Sequence, residues 1–177
     1  MQVFDFTEAE PLLRFIESHS KEIIGHAIKS FYIDIWPMLG RDDISDEPVV
    51  LEMDNGCIQF TYLVYSDLTI TVGSIDEIRQ DYRVDGVMKR RDRIKNYFDY
   101  DGSVKKEDIE GRTVINITVD RFSHEFDYNI QGDLRPEGGD YFSTIRLHLD
   151  NGMCLCFCGE DAIMDGYVRV WCEKSAA

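Results

Sequence analysis

Cys154, Cys156 and Cys158 alternate as C-x-C-x-C, a run of soft ligands that invites a metal reading. Strand geometry argues against it. Same-face residues two apart stand about 6.5–7 Å apart, whereas thiolates on one tetrahedral zinc sit about 4 Å apart. At most two of the three reach one ion, and no C-x-x-C lies nearby. Disulfides between neighbours meet the same distance problem. The three thiols are therefore expected in the core, and no metal or cofactor is expected.

The histidines are His19, His26, His124 and His148, with no i,i+4 or H-x-H pair among them. No zinc-protease helix is encoded. His124, followed by Glu125, is the best general-base candidate, because an acid–base role needs a titratable group with a partner in reach. His148 is expected on the outer face of a strand, solvated. Glu160, Asp161 and Asp165 precede a glycine in CGEDAIMDGY, without the alternating ligands of a calcium loop. No nucleophile elbow, P-loop or dinucleotide fingerprint occurs.

Charge narrows the partners. The net charge is −15, yet residues 79–95 carry seven Lys/Arg against three Asp/Glu, net +4, which leaves −19 on the remainder. Nucleic-acid binding depends on neutralising phosphates, so an acidic body opposes it. It favours a basic protein partner through electrostatic steering. No run of 18 apolar residues exists, so no membrane span is expected. The opening MQVFDFTEAE has neither a basic nor an apolar stretch, which predicts no export signal. With an odd cysteine count, the expected location is cytoplasmic.

The elements that must position these residues come in two copies. VVLEMDNGCIQFTY (49–62) and IRLHLDNGMCLCFC (145–158) both read strand, Asp-Asn-Gly turn, strand. Upstream, KEIIGHAIKSFYID (21–34) aligns with EDIEGRTVINITVD (107–120), placing Gly25 on Gly111 and Asp34 on Asp120. The expected fold is α+β: two pseudo-repeated αββββ units, about 1–73 and 103–174, within one domain of 1–177. Their antiparallel meander sheets pack together or close into a barrel-like sheet, because neither can bury its apolar face alone. A linker region 74–102 joins them through a helix from Gly86 to about Phe98, capped by Asp85.

Within the first unit, Thr7 and Glu10 form a capping box for a helix over Glu8–Ser18. A short turn around Ser20–Ile24 leads to a strand over Ala27–Ile35. Residues 36–48 read as a loop and Leu68–Val72 as a strand. A two-residue Asn-Gly turn pairs Met53 with Ile58 and Leu51 with Phe60. In the second unit Val104–Glu110 reads as a short helix, Thr113–Val119 and Gly166–Glu173 as strands, and 121–140 as a long loop. The same turn chemistry pairs Leu149 with Cys154, Leu147 with Cys156 and Ile145 with Cys158.

Meander topology gathers the remaining loops at the end opposite the Asn-Gly turns. The candidate binding residues there are Asp42, Asp43, Asp46 and Glu47 in the first unit, and Glu137, Asp140, Tyr141, Glu160, Asp161 and Asp165 in the second. Loops on a rigid sheet are where binding is placed. In class, this acidic character resembles the bacterial immunity proteins that neutralise toxic nuclease domains, carried by Asp42, Asp43, Asp46, Glu47 and the acids of 133–165. The resemblance implies a non-enzymatic binding protein facing a basic toxin domain. Two competing readings are a small metal- or ligand-dependent enzyme using His124, Glu125 and the 160–165 loop, and a structural homodimer. The oligomeric state is not encoded in any motif.

Overall fold

The computed structural model describes residues 1–38, 41–62, 68–78, 82–84, 87–89, 94–96, 104–122, 140–160 and 167–175. The chain opens with β1 (Gln2–Phe6) and α1 (Ala9–Ile23). Four strands follow: β2 (Ile28–Met38), β3 (Arg41–Met53), β4 (Gly56–Tyr62) and β5 (Leu68–Gly73). After α2 (Ile75–Ile78) come three short strands, β6 (Tyr82–Val84), β7 (Val87–Lys89) and β8 (Ile94–Asn96). The chain then forms α3 (Lys106–Ile109) and a second run of four: β9 (Val114–Phe122), β10 (Tyr141–Leu149), β11 (Met153–Glu160) and β12 (Tyr167–Lys174).

Two antiparallel sheets result. Their orders are β1-β5-β4-β3-β2-β8 and β12-β11-β10-β9, with β6 and β7 as a separate hairpin. The sheets pack on each other and do not close into a barrel. One apolar cluster runs through both inner faces, and Phe60 of β4 stacks on Phe157 of β11 at 4.9 Å between ring centroids. Burial of such aromatic area is the main force holding the layers. Helix α1 adds its own stripe: Ala9, Leu12, Phe15 and Ile23 are buried, and Phe15 meets Phe4 and Phe6 of β1.

The halves meet at a seam of backbone hydrogen bonds. Gly25 N–H donates to Val114 C=O (2.8 Å) and Gly111 N–H to Ile28 C=O (2.7 Å). Ile28 N–H donates to Arg112 C=O (2.9 Å) and Val114 N–H to His26 C=O (3.0 Å). An isolated bridge pairs Ala27 with Thr113. Gly25 and Gly111 both have positive φ, +88° and +74°, which a β-carbon would strain. Each turn is tied to its own corner in the same way. Asn55 Nδ2 donates to Glu22 C=O and Asn151 Nδ2 to Asp108 C=O, both at 2.9 Å.

Several sequence expectations need correction. Helix α1 starts one residue late and runs through Ile23, absorbing the expected turn. Its N-cap position is Glu8 rather than Thr7, and Glu8 makes no side-chain cap bond. A capping box does form at Ser74–Glu77: Ser74 N–H donates to Glu77 Oε2 (2.8 Å) and Glu77 N–H to Ser74 Oγ (3.2 Å). Within the expected loop 36–48, residues 36–38 and 41–48 belong instead to β2 and β3, which pair as far as Met38↔Arg41. The helix expected over 86–98 is replaced by β7 and β8. Val84 pairs with Val87 across Asp85-Gly86, and Asp-Gly between short apolar runs is a hairpin signal.

The hairpin registers carry the largest lesson. In the first, Met53 pairs with Gly56 and Leu51 with Ile58. That is two residues from expectation, so the faces are unchanged. In the second, Leu147 pairs with Leu155, Arg146 with Cys156 and His148 with Cys154. That is one residue from expectation, so every side chain of β11 changes face. The extra residue sits in the turn, where Gly152 (φ +79°) donates its N–H to Leu149 C=O at 3.1 Å. A three-residue hairpin with glycine in the left-handed position replaces the two-residue turn. Leu155 and Phe157 therefore face the core, and Cys154 and Cys156 face away from it.

Phe157→Ala should cost about 3–5 kcal/mol, as truncation of a fully buried aromatic does. Gly152→Ala should cost about 1 kcal/mol, because it forces a β-carbon into a left-handed turn. Urea denaturation of both variants checks the pair. Equal costs would mean that Phe157 does not carry the sheet interface.

Candidate functional site

Chemistry-bearing residues fall in two places: the outer face of the four-stranded sheet, and the sequence of the β2–β3 hairpin. On the sheet, β9, β10, β11 and β12 each contribute to one polar network. His148 is half-buried, not solvated as expected. Its Nε2 lies 2.8 Å from Thr118 Oγ1, and its Nδ1 lies 2.8 Å from Ser175 Oγ and 3.1 Å from Cys154 Sγ. One ring thus ties three strands and the residue after β12.

Next to it, Arg146 reaches carboxylates on both sides. It pairs with Asp120 of β9 and, at 3.2 Å, with Glu173 of β12. Asp120 is the larger cause of the raised Arg146 pKa. Glu173 is held below the usual carboxylate range, first by the Trp171 indole N–H at 3.0 Å and then by Arg146. Beneath this ion ladder lies Cys156, fully buried. Burial, and then the Glu173 carboxylate, push its thiol up to about 12. A thiol at that value is protonated and inert at neutral pH.

Cys154 and His148 have the separation of a thiol–imidazole pair. Their surroundings define a different role. Cys154 is 1% exposed, and Ser175 lies 3.4 Å from its sulfur. The contacts of this cluster run between neighbouring strands, so the network ties the sheet together. All five cysteines are free thiols. Among the described residues, no group of three His, Cys, Asp or Glu side chains converges as a metal site.

His26 and His19 are also engaged. His26 Nδ1 lies 2.7 Å from Asp54 Oδ1, and this bond is the first cause of the lowered Asp54 pKa. His19 stacks on Phe15 at 4.2 Å. His124 and Glu125 lie outside the described residues. A cavity of about 320 Å³ opens beside the last turn of α1, lined by Ile23, Met53, Ile58 and Val72 together with Glu22 and Asn55.

The expected binding residues separate into three groups. Asp42, Asp43, Asp46 and Glu47 lie on β3, where Asp42 pairs with Pro37 and Asp43 with Trp36. Asp140 is engaged by Arg121 in a two-point ion pair, and Tyr141 is 4% exposed and belongs to the interior. Glu160 ends β11 opposite Tyr167. Glu137, Asp161 and Asp165 lie outside the described residues. Topologically, the β9–β10 and β11–β12 connections do share the end opposite the hairpin turn, as Tyr141↔Phe122 and Glu160↔Tyr167 require. The outer-face network was missed because the one-residue register shift hid it. The glycine of the D-N-G turn was its only signal.

No family model, curated protein or solved structure matches this chain.

Two outcomes follow from these environments. In the native protein at pH 8, Cys154 and Cys156 should resist alkylation and become reactive only on unfolding, read by mass spectrometry. Cys156→Ala should cost roughly 1–3 kcal/mol. The second concerns acid. Glu77 is lowered to about 2, first by the Ser74 N–H and then by the amino terminus. A depressed carboxylate contributes stability that is present above its ordinary value of 4.5 and lost as pH falls towards about 2. Glu77→Gln should therefore flatten the acid limb of stability against pH in that window. A limb unchanged by the substitution would show that the Ser74 box contributes nothing.

Proposed function

We propose that the chain is a non-enzymatic binding protein that offers an acidic surface to a basic protein partner, in the manner of toxin-neutralising immunity proteins. The observation that carries this reading is the β2–β3 ribbon. Val49 to Met53 of β3 pair with β4, whereas Arg41 to Ser45 are paired, among the described residues, with β2 alone. The acids Asp42, Asp43, Asp46 and Glu47 fall on this outlying part of β3. A ribbon extending beyond its sheet presents both strands to a partner, and the charge of −19 outside 79–95 steers basic surfaces towards it. Five free thiols fit a cytoplasmic setting.

The same reading treats the fold as two copies of one unit. Support comes from paired features in the two halves. The four seam bonds form two matched pairs 86 residues apart, and the Asn55 and Asn151 contacts match across the seam. A register irregularity falls between Ile28 and Ser30 in β2, and again opposite His148 and Leu149 in β9, at Ile115. Lys29 and Ile115 are the residues skipped.

The test uses charge reversal. Asp42→Lys with Asp43→Lys should slow association with a basic partner, taken from the adjacent gene or recovered at low salt, while the dissociation rate changes little. Wild-type association should slow steeply as salt rises, since screening shortens the reach of these charges to about 8 Å near physiological ionic strength. A partner that binds the double variant as fast as the wild type sinks this reading.

A further inference from the structure

Three places in the molecule hold unused potential: the Cys154–His148 cluster, the cavity beside α1, and the outer edge of β9. The first is sealed by its own partners. The second has no buried unpartnered polar atom in its lining that would name a ligand. The edge of β9 carries more.

We propose that β9 is a strand-addition site and that its occupant is an extended basic segment of a partner protein. β9 is the last strand of its sheet, and among the described residues no strand pairs with its outer side. From Asn116 to Val119 its register with β10 is unbroken. Such an edge offers a regular row of backbone donors and acceptors. Proteins usually protect long edges with charges or proline, but Asn116, Ile117, Thr118 and Val119 are uncharged. The charges that follow, Asp120 and Arg121, are each engaged, by Arg146 and by Asp140. Ile115, at the start of the edge, is 56% exposed.

The other half of the molecule shows what fits. The seam bonds of Ile28 and Val114 match each other, so Tyr32–Asp34 of β2 correspond to Thr118–Asp120 of β9. At Tyr32–Asp34, β2 already carries an added strand: β8 pairs there as Tyr32↔Asn96, Ile33↔Lys95 and Asp34↔Ile94. β8 comes from the basic stretch 79–95. The chain thus fills one of two matched edges with its own basic segment, and among the described residues no strand fills the other. Strand addition draws affinity from main-chain hydrogen bonds and selectivity from alternate side chains. Charge decides against a second copy as occupant, because two chains of net −15 repel. This inference takes the sign of the partner's charge from the reading above and adds the mode of docking.

The experiment uses the full chain and, as probe, a peptide with the sequence of residues 90–97 (RRDRIKNY). Titrated into labelled protein, it should shift the amide resonances of Val114–Phe122 and slow their hydrogen exchange. A peptide with each Lys and Arg replaced by Glu should not bind, and added salt should weaken the basic one. Ile117→Pro and Thr118→Pro remove amides that point to opposite sides of the strand, so one of them removes an outward donor. That variant, shown folded by circular dichroism, should lose the peptide. Unchanged β9 amides at high peptide excess overturn the proposal, as do shifts confined to β2. Equal binding of the acidic peptide overturns the charge assignment, and a concentration-dependent dimer through β9 overturns the occupant. Peptide binding at β9 that survives failure of the Asp42/Asp43 test would sink the acidic ribbon alone.

Discussion

Four hydrogen bonds between the starts of β2 and β9 set the rest of the architecture. They are backbone bonds, so side-chain substitution changes them only through geometry. Each half donates two and accepts two, between Gly25, His26 and Ile28 on one side and Gly111, Arg112 and Val114 on the other. An unpaired buried peptide group is costly, so these ends must meet. Once they do, the direction in which each sheet leaves the seam is fixed. The inner faces are then opposed, and Phe60 can stack on Phe157. The two positive-φ glycines exist to turn the chain into this seam. The asparagines at the hairpin tips hold the turns against the same corners.

Away from the core, the two sheets use their outer faces differently. On the six-stranded sheet, Val50 and Cys57 form a small apolar cluster with Tyr32 and Ile75. On the four-stranded sheet the matching surface is polar. His148 and Arg146 lie over two buried thiols and bond to β9, to β12 and to the residue after it. The difference comes from turn length. A two-residue turn leaves β4 with Ile58 and Phe60 inward, and a three-residue turn sends the cysteines of β11 outward while Leu155 and Phe157 replace them. One inserted residue thus converts an expected cysteine core into a cross-strand lock.

Much of this was legible in the residues. Alternating apolar positions and the D-N-G signals gave both hairpins, and Gly25 aligned with Gly111 marked what became the seam. Strand order within each meander, β5 and the short α3 followed from the same pattern. Register was not legible, because D-N-G serves two-residue and three-residue turns alike, and only packing decides between them. The ribbon 36–48 was hidden by Gly40, Pro37, Pro48 and a run of acids, which locally favour loops. In the structure residues 36–38 of β2 nonetheless pair with 41–43 of β3. The Asp85-Gly86 pair could start a helix or close a hairpin, and the apolar spacing around it favoured neither. Of the candidate site, the acids of β3 are named from composition and position alone, whereas the network around His148 depends on that unread register.

The seam also has a temporal side. Gly25 and Ile28 are made early in synthesis, and their partners Gly111, Arg112 and Val114 are made much later. Contacts of such long sequence separation form slowly, since a large loop must close first. While the chain is still being made, the first sheet leaves the ribosome with its inner face uncovered and its corner unpaired. It must stay soluble in that state until the second meander emerges. A strongly negative net charge serves this nascent chain, because like charge keeps half-finished sheets apart.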